Sequence, residues 1–178
     1  MKGLKTGLAI VLLSFTAISH KVNAQTLTDI DIKPQDKQQI ETFQIESNPN
    51  SREDNQKAKI YLKKGLELIE AKKYSEAIQT FNEVINIQKN NQYAYFLRGF
   101  SYFKLKQYQQ AKIDFDKSIQ LDSSISYAYF FRGLTNGFLG NKDSAIADLE
   151  TAAKLFEKNG KTKLAQTCRN VIEQIRKA

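Results

Sequence analysis

Beyond residue 57 the chain alternates between apolar positions recurring every three or four residues and short polar breaks. Within 92–125, Tyr95, Gly99, Tyr102 and Phe103 keep that spacing, as do Ala111, Phe115, Ser118 and Ile119. A polar turn at Leu105–Tyr108 separates the two sets, so the stretch predicts two helices joined by a tight connection. The pattern then returns at a period of 34 residues. Gly65, Gly99 and Gly133 keep that interval, and so do Ala77, Ala111 and Ala145. Tyr61, Tyr95 and Tyr129 stand four before each glycine, while Phe81, Phe115 and Leu149 stand four after each alanine. Ile78, Ile113 and Ile146 follow the register less strictly. Three units result, 58–91, 92–125 and 126–159. A glycine inside a helix costs on the order of 1 kcal/mol against alanine. Its return at one register implies that Gly99 and Ala111 allow a close approach that offsets the cost, with Tyr95 and Phe115 filling the space beside them.

After the third unit, Asn159–Gly160 interrupts the pattern and 160–178 predicts one more helix. Leu164, Cys168, Val171, Ile172 and Ile175 form its apolar stripe. Such a helix would close the array, because a terminal repeat otherwise exposes an oily face. Residues 25–57 differ: they are polar, hold both prolines and carry 4 basic against 7 acidic side chains. Residues 58–178 carry 20 basic and 12 acidic ones. The first segment reads as a flexible lead with its clearest break at Ser47–Asn55, although Ile40, Phe43 and Ile45 form a small apolar cluster within it.

The start of the chain has the layout of an export signal. Lys2 and Lys5 precede an uncharged, mostly apolar run from Gly7 to Ile18, and Val22 and Ala24 occupy the small-residue places before a cut between Ala24 and Gln25. A spanning helix needs roughly 20 apolar residues, more than this run supplies before His20 and Lys21. The alternative is an uncleaved anchor.

Export changes the chemical inventory. His20 is the only histidine and leaves with the signal, so His-based triads and His-ligated zinc are excluded. Cys168 is the only thiol, which rules out an intramolecular disulfide; it reads as a buried small hydrophobe.

On these residues the chain resembles the tetratricopeptide repeat family. That consensus wants a large aromatic fourth, glycine eighth, a large residue eleventh, alanine twentieth, an aromatic twenty-fourth and a small residue twenty-seventh. Tyr95, Gly99, Tyr102, Ala111, Phe115 and Ser118 meet all six. The first repeat matches with Tyr61, Gly65, Leu68, Ala77 and Phe81 but has Val84 at the small place. The third keeps Tyr129, Gly133, Ala145 and Ala152 but has Asn136 and Leu149 where bulkier groups are usual. The usual proline near the end of each repeat is replaced by Lys89, Ser123 and Glu157. The resemblance implies an all-α, right-handed solenoid of three helix-turn-helix repeats with a capping helix.

It also implies a concave groove lined by the first helix of each repeat. Carried over by position, the first repeat offers Lys59, Leu62, Lys63, Leu66, Ile69 and Glu70. The second offers Tyr93, Phe96, Leu97, Phe100, Phe103 and Lys104; the third Tyr127, Phe130, Phe131, Leu134, Gly137 and Phe138. Two readings stay open for the rings: packing between neighbouring helices, or an exposed strip for an apolar or amphipathic peptide, the latter suiting Phe100, Phe131 and Phe138 best. Occupancy of the groove in cis by Ile40, Phe43 and Ile45 is a third reading. The family's clamp for acidic chaperone tails uses Lys, Asn and Arg at places that here hold Leu62, Leu66, Leu97, Tyr127 and Phe131, so a clamp of that kind is not expected.

No catalytic constellation, metal site or cofactor site emerges. Asp114 and Asp116, like Asp148 and Glu150, are two apart and point to different sides of a helix, and Asp114 with Lys117 reads as a solvated pair. Gly133, Gly137 and Gly140 lack the Lys-Ser/Thr of a phosphate loop. The excess charge of +8 is scattered and not interleaved with rings, which argues against nucleic acid. Lys154, Lys158, Lys161, Lys163 and Lys177 could favour an anionic membrane surface or cell-wall polymer. The expected function is a secreted or periplasmic adaptor or scaffold for a protein or peptide, similar to exported bacterial tetratricopeptide proteins.

Overall fold

The computed structural model describes residues 52–177. Among them lie seven α-helices: α1 Arg52–Glu70, α2 Tyr74–Ile87, α3 Gln92–Lys104, α4 Tyr108–Leu121, α5 Ser126–Phe138, α6 Lys142–Lys158 and α7 Thr162–Lys177. The signal peptide expected at residues 1–24, and Ile40, Phe43 and Ile45, lie outside the described residues. One boundary differs from the expectation. Helix α1 begins at Arg52, so Arg52–Lys57 belong to the first hairpin and not to a flexible lead. The early start is held from a distance, by Gln88 Nε2 donating to Asn55 Oδ1 at 2.8 Å.

Each first helix ends with the same device at the 34-residue interval. Lys73, Gln107 and Asn141 donate backbone N–H groups to the carbonyls of Leu68, Tyr102 and Asn136 at 2.8, 2.9 and 2.9 Å. Lys72, Lys106 and Gly140 donate one step inside, to Ile69, Phe103 and Gly137. This closure uses up the last carbonyls of the helix and requires a left-handed residue. Lys72, Lys106 and Gly140 adopt it, with φ of 58°, 60° and 83°. Only the third repeat spends a glycine there.

Pairing within a hairpin follows from the small residues. A Cβ on Gly65 would run into the Phe81 ring, one on Gly99 would lie 3.0 Å from Phe115, and one on Gly133 would lie 2.9 Å from Leu149 Cγ. Phe81, Phe115 and Leu149 are fully buried, as are Ala77, Ala111 and Ala145. The shorter Leu149 in the third repeat thus sits against its glycine as the phenylalanines do.

Stacking of hairpins relies on two arginines. Arg98 donates from Nε and Nη2 to the Asp114 carboxylate at 2.8 and 2.7 Å, and from Nη1 to Asn82 of the preceding hairpin at 2.6 Å. Arg132 repeats this with Asp148 at 2.9 and 2.6 Å and with Asp116 at 2.8 Å. Each guanidinium also lies over a tyrosine of its own helix, Tyr95 or Tyr129. Asp114 is therefore buried and bound to Arg98, not a solvated partner of Lys117, which bonds Gln120 instead. Burial pushes the Asp114 carboxyl above its ordinary range, outweighing the two Arg98 bonds that hold it down.

Successive first helices α1, α3 and α5 approach one another, while the second helices stand further apart, so the first helices form the inner side of the curve. Helix α7 packs on α6 through Ala165, Cys168, Val171, Ile172 and Ile175, all buried, and covers the last hairpin as expected of a cap.

Candidate functional site

The inner side is built from the faces of α3 and α5 that carry the aromatic residues singled out above. Most of these rings are not at the surface. Phe96, Leu97, Phe100, Phe103, Phe130, Phe131 and Leu134 are buried, and Tyr127 retains 8% of its area. Tyr93, Lys104 and Phe138 remain partly exposed. The expectation that Phe100 and Phe131 form an exposed strip is corrected: they are 0% and 1% exposed.

The reason is the close approach of neighbouring first helices. Phe131 projects from α5 into a nest of rings from α3 and α4, with centroids 5.0 Å from Phe100, 5.5 Å from Phe103 and 6.2 Å from both Phe96 and Phe115. The Phe100 and Phe103 pairs are edge-on, the favourable arrangement for aromatic quadrupoles. These side chains are the seam that holds α3 to α5. From the first repeat, Leu62, Leu66 and Ile69 are likewise buried, whereas Lys59, Lys63 and Glu70 face solvent.

Two residues beyond those expected complete the face. Tyr74 and Tyr108 open the second helices α2 and α4; Tyr74 lies edge-on to Phe100 at 6.5 Å, and Tyr108 stacks on Phe138 at 4.6 Å. Their 34-residue separation was the available signal. Burial raises the Tyr108 hydroxyl pKa, and burial together with the Asp122 carboxylate raises that of Tyr93. Two lysines are placed over rings on the same face. Lys104 Nζ stands 5.4 Å from the Phe100 centroid, and Lys161 Nζ 5.0 Å from that of Tyr127. On this face Tyr93, Lys104 and Phe138 thus keep part of their surface, while the rings between them are buried.

Elsewhere several ionisable groups pair with one another. Arg169 pairs with Glu157 at 2.9 Å, Arg176 with Glu150 at 3.1 Å and Lys177 with Glu173 at 3.2 Å. Among the described residues no group of three or more His, Cys, Asp or Glu could hold a metal ion, and no helix is long and apolar enough to cross a membrane. Burial pushes the Cys168 thiol up to about 12, which makes it a poor nucleophile at neutral pH.

Stacked helical hairpins closed by a cap define a helical-repeat solenoid. Family models for the TPR repeat and the tetratricopeptide repeat match residues 65–106, 93–124 and 126–159. The chain belongs to the tetratricopeptide repeat family and has its all-α fold. No curated protein sequence matches it. Among solved structures it is similar to the second TPR domain of human RPAP3 in complex with an HSP70 peptide, SGPTIEEVD. That domain is 29% identical at a TM-score of 0.62, over 70% of this chain and 99% of that one. The TPR2B domain of yeast Sti1, in its pHsp70 complex, is 19% identical at 0.65, over 68% and 98%. The type III secretion translocator chaperone SycD of Yersinia enterocolitica is 16% identical at 0.66, over 72% and 88%. The last two likenesses show the fold alone.

Proposed function

We propose that the protein is a non-enzymatic adaptor or assembly scaffold whose inner face takes an apolar or amphipathic segment of another polypeptide. One observation carries the reading. The five places that hold cations or amides in clamps for acidic tails are here filled by Leu62, Leu66, Leu97, Tyr127 and Phe131, each no more than 8% exposed. The RPAP3 domain was solved with a peptide ending in Glu-Glu-Val-Asp. This chain offers such a tail no cation at those places; Lys104 and Lys161 stand over rings of the same face, and Lys59 and Lys63 lie exposed on α1. Its ligand is therefore held mainly by burial, with carboxylates welcome near the lysines.

The test uses side chains that are accessible and not part of the seam. Partner recovery from the exported fraction is expected to fall at least tenfold for a Tyr93→Ala/Phe138→Ala variant with unchanged helical circular dichroism. Equal recovery by variant and wild type overturns the reading. An electrostatic surface binder through Lys154, Lys158, Lys161, Lys163 and Lys177 is the alternative; of these Lys177 is paired with Glu173.

We also propose export, on the support of Lys2, Lys5, the run Gly7–Ile18 and Ala24. The mature protein is expected to begin at Gln25 by mass spectrometry; recovery with Met1–Ala24 attached in the membrane fraction would indicate an anchor instead.

A further inference from the structure

We propose that residues 40–46 of this same chain, Ile-Glu-Thr-Phe-Gln-Ile-Glu, cover the inner face in cis, and that a partner gains access by displacing them. The inference deepens the reading of the inner face as a binding surface and rests on it.

The chemistry matches on both sides. The inner face leaves Tyr93 and Phe138 partly exposed and carries Lys104 and Lys161 over the rings of Phe100 and Tyr127. The segment presents Ile40, Phe43 and Ile45 with carboxylates at Glu41 and Glu46. Charge favours the encounter over a longer range as well. Residues 25–51 hold Lys33 and Lys37 against Asp29, Asp31, Asp36, Glu41 and Glu46, whereas the array from residue 58 onward is strongly basic.

The lengths also agree. Seven extended residues span about 23 Å at roughly 3.3 Å each. Three first helices packed 8–10 Å apart place α1 and α5 roughly 16–20 Å from each other. The connection, Ser47-Asn48-Pro49-Asn50-Ser51, consists of residues suited to reversing the chain. It joins α1 at Arg52, and the Asn55–Gln88 bond ties the first turns of α1 to the end of α2, just ahead of α3. A tether this short gives an effective concentration in the millimolar range, so contacts too weak to hold a free peptide persist.

Phe43→p-benzoylphenylalanine in the full chain tests the placement. Ultraviolet exposure at low protein concentration is expected to give adducts within one chain, on peptides of α3 or α5 carrying Tyr93, Lys104, Tyr127 or Phe138. Adducts joining two chains would make a second copy the occupant, and adducts confined to other helices would leave the face uncovered; either result overturns the proposal. A Phe43→Asp/Ile45→Asp variant of the full chain supplies the second arm. A synthetic peptide of residues 38–47 is expected to bind that variant at least tenfold more tightly than wild type, and equal affinity overturns cis coverage. Should these arms fail while Tyr93→Ala/Phe138→Ala still lowers partner recovery, only cis coverage falls and the binding face stands.

Discussion

Arg132 joins Asp148 of its own hairpin to Asp116 of the preceding one, with contacts of 2.6 Å and 2.8 Å from two arms of one guanidinium. The Asp148 carboxylate is only 9% exposed and also accepts from Asn136 Nδ2 at 3.0 Å. Arg132→Met would strand that charge inside the array. Losing one partner of a buried pair costs about 3 kcal/mol. Urea denaturation should show a loss of that order, and adding Asp148→Asn should recover part of it by removing the stranded charge.

The glycine register makes a contrast that thermal melts can read. Alanine is the better helix former by about 1 kcal/mol, so a glycine-to-alanine change stabilises wherever space allows. Gly137→Ala has that space, since the new Cβ would stand 4.0 Å from Ala145. Gly65→Ala does not, because the Phe81 ring blocks it and is itself fully buried. The first change should raise the melting temperature, and the second should lower stability by about 1–3 kcal/mol through overpacking.

The helix-ending device gives a second contrast. Lys106 holds φ of 60° where the third repeat has Gly140 at 83°. A side chain in the left-handed region is strained by about 1 kcal/mol. Lys106→Gly should therefore stabilise by roughly 0.5–1 kcal/mol despite the added freedom of the unfolded chain. Lys106→Val should destabilise, and a reversed order in urea titrations would contradict this account of the turn.

Cys168 should be silent in the native state and reveal unfolding. With its thiol pushed up to about 12 and fully buried, it should react with a disulfide reagent at pH 8 only as fast as the array opens. A raised acid pKa means the folded state keeps its proton where the unfolded state has lost it. Stability from this group is complete below the ordinary thiol range and falls as pH rises toward about 12. Cys168→Ala should flatten that alkaline decline, apart from the contributions of Tyr93 and Tyr108, which act in the same direction.

The architecture was legible because each hairpin needs particular shapes at particular places. A glycine packed against a buried Phe or Leu side chain cannot gain a Cβ without a clash, so Gly65, Gly99 and Gly133 announce the period. The connection at Leu105–Tyr108 and the break at Asn159–Gly160 coincide with the ends of α3 and α6 for the same reason. The start of α1 was not legible, since Arg52–Lys57 carries no apolar stripe and is anchored by Asn55 to a residue 33 positions away.

The exposure of the site was hidden by a degeneracy. A ring on a first helix serves the inner surface or the seam with the next first helix, and both uses require the same spacing. Phe100 and Phe131 went to the seam; Phe138 kept part of its surface. The arginine clamps left a trace in the 34-residue separation of Arg98 from Arg132 and of Asp114 from Asp148. Adjacent charges on one helix drew attention away from partners 16 residues distant.

The first hairpin has no arginine clamp of its own and is held only from outside, by Arg98 at Asn82. Lys64 stands where Arg98 and Arg132 would be expected, and Thr80, which bonds back to Glu76, stands in place of Asp114 and Asp148. Under tension along its long axis, the molecule should yield hairpin by hairpin from the Arg52 end while the clamped portion stays shut. An opening front would then reach the inner face from the side on which α1 lies, making α1–α2 the compliant part of an otherwise stiff spring.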